Sequence, residues 1–205
     1  MPEKELNTEE LIKEAAKKIF VKKGFAGARM QEIADEAGIN KALLHYYYRN
    51  KAKLFEVIFD ETFHVLLPRL SQILTADTNL IEKLETFIPM YIHTIRQNPH
   101  IPLFVLNELN QDSERFIAKV QAKVDPSKLM GLMQQIQESI EAGVVKPFNP
   151  IQLFLNVLSM CAFPFVARPV LQSIVGMSDD FFDQLMEERE QAVLDFVKAA
   201  ILPSG

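Results

Sequence analysis

Side chains that suit contact with a nucleic acid are concentrated between Lys41 and Lys51, in the segment KALLHYYYRNK. Lysine and arginine neutralise phosphates, and tyrosine hydroxyl and histidine imidazole groups reach phosphates or base edges. The small Ala42 lets a helix sink into the major groove. Three successive tyrosines, at 46–48, point in directions about 100° apart on a helix, so at least one faces solvent even if the others are core aromatics.

Short helices and a tight turn are expected to position this segment. An amphipathic helix covers residues 8–23, and a second helix from about Met30 to Ala37 ends at Gly38, which adopts the left-handed conformation without steric cost. Asn40 then caps a third helix over residues 41–47. This pattern predicts a helix-turn-helix motif, although a simple helical hairpin would use the same glycine and apolar residues.

A specific order of short motifs runs through residues 24–59. Its parts are Gly24-Phe25, Ile33-Ala34, Ala37-Gly38-Ile39, Lys41 with Leu44, and Arg49-Asn50-Lys51 after the aromatic residues. This order resembles the TetR family of bacterial one-component regulators. The resemblance implies an all-α fold with an N-terminal helix-turn-helix domain of three helices and a larger helical ligand-binding and dimerisation domain.

The resemblance also implies which residues contact double-stranded DNA. Gln31, Lys41, Ala42 and Leu43 are expected to read bases, and Lys51 to hold the phosphate backbone. The full expected DNA-binding set is Arg29, Gln31, Asn40, Lys41, Ala42, Leu43, His45, Tyr46, Tyr47 and Lys51.

Two residues depart from the family pattern. The family commonly has Thr or Ser before the second helix, where this chain has Ala28 and Arg29, so a charge replaces the hydroxyl cap. His45 stands where a phosphate-contacting Tyr is usual, and Tyr47 stands where His is frequent. Histidine titrates near neutral pH, so a contact through His45 would depend on pH.

The expected domains are a helix-turn-helix domain at 1–50, with its motif at about 29–48, and a helical effector-binding and dimerisation domain at 51–205. The fourth helix starts at about Lys51, and Pro68 is expected to kink or end it. Further helices are predicted at about 79–97, 101–110, 113–123, 127–142, 149–163 and 179–201. The segment from Phe163 to Pro169 is predicted to break the helical run.

The chain contains fifteen Phe and eight Met residues, a composition that suits an adaptable apolar pocket in the second domain. The same residues at helical spacing are also what a plain core would use. The candidate pocket residues are Phe59, Phe63, Tyr91, Phe104, Met130, Met133, Asn156 and Met160.

The last two predicted helices are strongly apolar on one face. In the resembled family the final two helices pair with their copies in a four-helix dimer interface, although an intrachain core would also explain the pattern. The candidate homodimer residues are Leu153, Val157, Phe182, Leu185, Met186, Val193, Phe196 and Val197.

Several classes of protein are disfavoured. No nucleophile elbow, Walker loop, dinucleotide fingerprint or His-Glu-x-x-His motif occurs, which argues against an enzyme. His64, His93 and His100 lack metal-ligand spacing, so no metal or cofactor is expected. A polar N-terminus and a single cysteine favour the cytoplasm. Residues 147–167 carry no charge but contain prolines and amides, which favours a core or interface helix over a membrane span.

The charge distribution supports a DNA-binding head. The net charge of −5 taken alone argues against binding to a nucleic acid. However, residues 1–55 hold 11 Lys and Arg against 8 Asp and Glu, a net charge of +3, and the remainder of the chain carries −8. Together with this charge split, the resemblance to the TetR family implies a homodimeric, ligand-responsive repressor that binds a palindromic operator and is released by a small apolar effector. The alternatives are a helical ligand-carrier or interaction module whose head no longer reads DNA, and an unrecognised helical enzyme.

Overall fold

The structure, a computed structural model, describes residues 2–64 and 66–203. Within these ranges the chain forms ten α-helices and no strand, which confirms the all-α prediction. The helices are α1 (Pro2–Gly27), α2 (Met30–Glu36), α3 (Lys41–Tyr47), α4 (Lys51–His64), α5 (Leu66–Thr75), α6 (Leu80–Gln97), α7 (Ile101–Gln121), α8 (Pro126–Glu141), α9 (Pro150–Val175) and α10 (Asp179–Ile201).

The chain divides into two compact units. The first unit contains Met1–Val65 and Leu103–Lys119, and the second contains Leu66–Pro102 and Val120–Gly205. The expected boundary at residue 50 therefore differs from the structural division, because α4 and most of α7 pack with the N-terminal helices.

An aromatic core explains this division for the first unit. Phe20 of α1 lies edge to face with Phe55 of α4, with ring centroids 5.1 Å apart. Phe55 stacks on Phe104 of α7 at 5.5 Å, and Phe59 contacts Phe116 at 5.9 Å. Aromatic pairs at these separations are favourable beyond the area that they bury, so α7 is held in the first unit by its own side chains.

The second unit has a separate apolar core, made chiefly by α6, α9 and α10. Ile88, Ile92 and Ile95 of α6 are fully buried, and Phe182 of α10 packs edge to face on Phe165 of α9. Ion pairs at the edges of this core join α6 to α10 through Arg96 with Glu187 and Lys198 with Glu85.

The predicted helix break at Phe163–Pro169 is wrong, because α9 continues through Pro164 and Pro169 to Val175. A proline inside a helix removes the N–H that would bond to the carbonyl four residues earlier, here that of Met160. The side chain of Arg189 donates to this carbonyl through Nε at 2.8 Å, so a residue of α10 replaces the missing donor.

Two other predicted breaks differ in detail. Pro68 lies in the first turn of α5, where a backbone N–H has no partner within the helix. The predicted helices 101–110 and 113–123 form the single element α7, which is kinked at Asp112 with φ −157° and ψ 76°.

Among the described helices, α9 alone is long and apolar enough to cross a membrane by length and composition, and it also supplies buried residues to the second core.

Candidate nucleic-acid interface and apolar cleft

Local contacts fix the turn between α2 and α3. Gly38 has φ 68°, and the N–H of Ile39 donates to the carbonyl of Ala34 at 3.0 Å. Asn40 caps α3, because its Oδ1 accepts the N–H of Leu43 at 2.8 Å. The structure therefore assigns Asn40 a capping contact, and the buried Leu44 fixes which face of α3 packs inward.

One face of α3 is open to solvent. Lys41, Ala42, His45 and Tyr46 are exposed, and the side chain of Tyr46 is 79% accessible. Tyr47 is half-buried and lies edge to face with Tyr46 at 5.5 Å. This surface offers a cation, a small residue, an imidazole and a phenol to a groove.

Other side chains in and directly after α3 contact the protein itself. Leu43 is half-buried, and Tyr48 is buried and donates its hydroxyl to Glu9 at 3.1 Å. Burial raises the pKa of Tyr48, and the hydrogen bond to Glu9 adds to that shift. His45 is exposed, and its Nδ1 lies 3.3 Å from the carbonyl oxygen of Arg49.

The start of α2 presents two further predicted residues. Arg29 is exposed at the N-cap position, and its side chain makes no capping hydrogen bond in the described part of the chain. Gln31 is exposed and donates to Asp35 at 2.8 Å. Glu32 accepts from Lys23 at 2.8 Å, and this bond lowers the pKa of the Glu32 carboxyl.

Lys51 makes contacts within the protein. Its Nζ donates to the carbonyls of Ala28 at 2.9 Å and Ala26 at 3.3 Å, and lies 4.6 Å from the ring centroid of Phe25. These contacts tie the start of α4 to the segment that leads into α2. Lys51 therefore positions the motif in this structure, whatever further contact it makes with DNA.

A buried ion pair that sequence reasoning missed holds the same segment from α7. Glu108 is 1% exposed and accepts the N–H of Phe25 at 2.9 Å. Its second oxygen accepts from Arg115 at 2.6 Å, and the Arg115 guanidinium lies 3.9 Å from the Phe25 ring centroid. Charge-assisted hydrogen bonds of this kind are stronger than neutral ones, so they anchor the last turn of α1, which leads into α2.

Gln111 completes the attachment of α7. Its Oε1 accepts the N–H of Ala26 and its Nε2 donates to the carbonyl of Lys23, each at 3.0 Å. The intervening Gly24 has φ 63° and ψ −179°, a region that is essentially restricted to glycine. A Cβ at this position would lie 1.8 Å from Nε2 of Gln111. The available sequence signal was a set of polar residues at one-turn spacing on α7.

The second unit contains an apolar cleft among α5, α6, α8 and α9. Its empty volume is about 570 Å³, including the mouth that is open to solvent. The lining residues are Leu70, Ile73, Leu74, Leu80, Lys83, Leu84, Phe87, Leu132, Met133, Ile136, Leu153, Phe154 and Val157. Lys83 is the one charged residue among them.

Of the eight candidate pocket residues, Met133 alone lines this cleft. Phe59, Phe63 and Phe104 lie in the aromatic core of the first unit, so their predicted place in a pocket is corrected. In the second unit, Tyr91 is half-buried and stacks on Phe87 at 5.3 Å, Met130 and Asn156 are exposed, and Met160 is half-buried. Burial raises the pKa of Tyr91 to about 12.

The candidate dimer residues also lie largely on the inner side of their helices. Phe182, Met186, Val193 and Val197 are buried in the second core, and this corrects their predicted place at a surface. Leu153 and Val157 line the cleft, Leu185 is half-buried, and Phe196 is 65% exposed. Apolar periodicity identified the packed face of α10, whereas an interface requires the exposed face.

A helix-turn-helix followed by an all-helical unit defines the class of one-component DNA-binding regulators. Residues 12–58 match the family model described as bacterial regulatory proteins of the tetR family, and residues 77–205 match a tetracyclin repressor-like C-terminal domain. The chain belongs to the tetR family, and it is a DNA-binding transcriptional regulator.

Named relatives agree with this assignment. The repressor NicS of Pseudomonas putida is 25% identical over 178 residues, which span 83% of this chain and 81% of NicS. The regulator RutR of Escherichia coli is 20% identical over 194 residues, spanning 91% of this chain and 89% of RutR. HlyIIR, a hemolysin II transcriptional regulator, has a similar solved structure with a TM-score of 0.61 and 25% identity, covering 90% of this chain and 96% of HlyIIR. These relatives are regulators rather than enzymes.

Proposed function

We propose that the protein is a homodimeric, ligand-responsive repressor that acts in the cytoplasm and has no catalytic activity. The observation that carries this proposal is the exposed face of α3, which combines Lys41, Ala42, His45 and Tyr46 directly after a well-capped turn. Two copies of α3 related by a two-fold axis would read a palindromic operator, one half-site each.

Within this proposal, the DNA contacts fall into two groups. Lys41, Ala42, Leu43 and Gln31 approach base edges, whereas Arg29, His45, Tyr46 and Tyr47 approach phosphates. Lys51 is placed in the second group, the phosphate contacts, only because of its position in the family motif. Its ammonium already donates to two backbone carbonyls of the protein.

The surface proposed for dimerisation is the outer face of α9 and α10. Five exposed apolar residues of α9 follow one another at separations of four, eight, seven and four positions, and therefore form one stripe along the helix. They are Ile151, Leu155, Phe163, Val170 and Ile174. Phe181 and Phe196 are exposed on α10. A contiguous exposed apolar surface of this kind is typical of a protein–protein interface. A small effector with an apolar part, bound in the cleft, would favour a form of the dimer that no longer matches the operator.

Selection from random-sequence DNA tests the regulatory proposal. The wild-type protein is expected to enrich a palindrome, and Lys41→Ala is expected to relax the preference at one position in each half-site, at a cost of about 1–3 kcal/mol. Lys146→Ala, in the second unit, is the matched control and is expected to select the wild-type sequence. Failure of the wild-type protein to enrich any palindrome at low salt would contradict the proposal and favour a carrier or interaction module.

Light scattering tests the dimer surface. Phe163→Glu, at a side chain that is 65% exposed, is expected to yield monomers, because a charge would be buried in the interface. Met130→Glu changes an even more exposed apolar residue on α8 and is expected to leave the dimer intact. Dissociation by both variants, or by neither, would rule out the α9 stripe as the interface.

A further inference from the structure

Lys83 is an unusual residue for the wall of an apolar cleft. Its side chain is almost completely removed from solvent, since the residue is 8% exposed. Its Nζ donates to the carbonyl of Leu74, another cleft residue, at 3.2 Å. Among the residues that the structure describes, no carboxylate forms an ion pair with it.

The nearest acidic residues along α6 are engaged elsewhere. Glu82 forms the capping box of α6, in which its carboxylate accepts the N–H of Asn79 at 3.1 Å. Glu85 accepts from Lys198 on α10. Neither neighbour in sequence therefore serves as the counter-ion of Lys83.

A buried ammonium without a counter-ion is costly, and an apolar residue of similar length would fill the same space without that cost. An ammonium carries three N–H donors, and the Leu74 carbonyl accepts from one of them. Two donors remain for an anion, and Lys83 is the one charged residue that lines this otherwise hydrocarbon cleft.

We propose that the cleft binds an amphipathic monoanion, an unbranched or weakly branched acyl chain with one carboxylate. The carboxylate accepts from Lys83, and the hydrocarbon chain packs among Leu84, Phe87, Met133 and Ile136. This inference rests on the proposed function, because it names the chemical class of the effector that the cleft would hold.

Calorimetric titration with two probes of equal chain length, decanoate and 1-decanol, tests the assignment. The wild-type protein is expected to bind decanoate at least roughly tenfold more tightly, because a hydrogen bond to a charged group is the stronger one. Lys83→Met is expected to remove this preference, and Lys83→Arg to retain it. Lys146→Met is the matched control, because Lys146 also donates to a main-chain carbonyl, that of Ala199, but does not line the cleft.

Three results would overturn the anionic class: equal affinity of the wild-type protein for both probes, binding of neither probe, or a decanoate preference that survives in Lys83→Met. If Lys83→Met does not fold, the wild-type comparison and Lys83→Arg still decide the question. Operator selection, measured without any probe, reports separately on the proposed function. A palindrome enriched by a protein without decanoate preference would reject the ligand class and leave the regulator intact.

Discussion

The two units of this chain are packed in contrasting ways. In the first unit, seven phenylalanines of α1, α4 and α7 contact one another with centroid separations of 4.6–6.5 Å, and the ion pair of the buried Glu108 holds the backbone that leads into the motif. In the second unit, a continuous apolar core lies beside a cleft of about 570 Å³.

This contrast relates packing to function. A surface that reads DNA must keep its side chains in one arrangement, and specific polar contacts to the backbone achieve this in the first unit. A site for a small molecule needs space, which a fully packed core cannot supply. The difference predicts that substitutions of buried residues in the first unit destabilise strongly, whereas those around the cleft are better tolerated.

The largest expected effect is that of Phe59→Ala. Phe59 is 1% exposed and contacts four other rings of the core, so its removal leaves a cavity and is expected to cost about 3–5 kcal/mol of unfolding free energy. Phe87→Ala removes a half-buried ring beside existing empty space and is expected to cost less than about 2 kcal/mol. Denaturant unfolding followed by circular dichroism measures both, and equal losses would contradict the contrast.

Glu108→Ala is expected to have the next largest effect. It leaves the N–H of Phe25 and the Arg115 guanidinium without their acceptor, at a cost of roughly 3 kcal/mol. Operator affinity should fall as well, because the released backbone leads into α2. Glu114→Ala, at an exposed position of the same helix, is the control and should stay within about 0.5 kcal/mol of the wild type.

Two glycine-to-alanine substitutions, one in each unit, are expected to change the stability less. The first should lower the stability and the second should raise it. Gly24→Ala forces a side chain into a glycine-only conformation and displaces Gln111, so a loss of about 2 kcal/mol is expected. Gly131→Ala lies within α8 with nothing within 4 Å of the added Cβ, so a gain of up to about 1 kcal/mol is expected. Thermal unfolding of both variants decides the signs.

Local signals were enough to predict much of the fold, including the helix that we propose contacts DNA. The Asn40 cap and the Gly38 turn lie next to the helix that they define, and α3 spans Lys41–Tyr47 as predicted. Contacts between distant residues carry no such signal. The bond from the Phe25 N–H to Glu108 joins residues 83 positions apart, and the donor that sustains α9 at Pro164 comes from Arg189.

The apolar faces show a second limit. A repeat of apolar residues indicates that a helix packs, but it does not indicate against what. Phe182 and Phe196 belong to the same predicted stripe of α10, yet the first is buried in the core and the second is exposed. The cleft likewise depends on which helices meet. Of two residues predicted to line a pocket, Met133 lies at the cleft and Phe104 is buried in the first core.

The smallest expected effects concern two partly exposed ion pairs, one in each unit. The bond from Lys23 lowers the pKa of Glu32, and bonds from Arg168 and Gln172 lower the pKa of Asp179. A carboxyl whose pKa is lower in the folded state adds stability above its unfolded pKa and loses that contribution as the pH falls through the folded value. Carboxyl NMR titrations should therefore move toward ordinary values for Glu32 in Lys23→Met and for Asp179 in Arg168→Met. For Asp179, the pKa shift should be reduced rather than abolished in Arg168→Met, because Gln172 still donates to this carboxylate at 2.6 Å. An unchanged titration of either carboxyl would show that its ion pair is absent in solution.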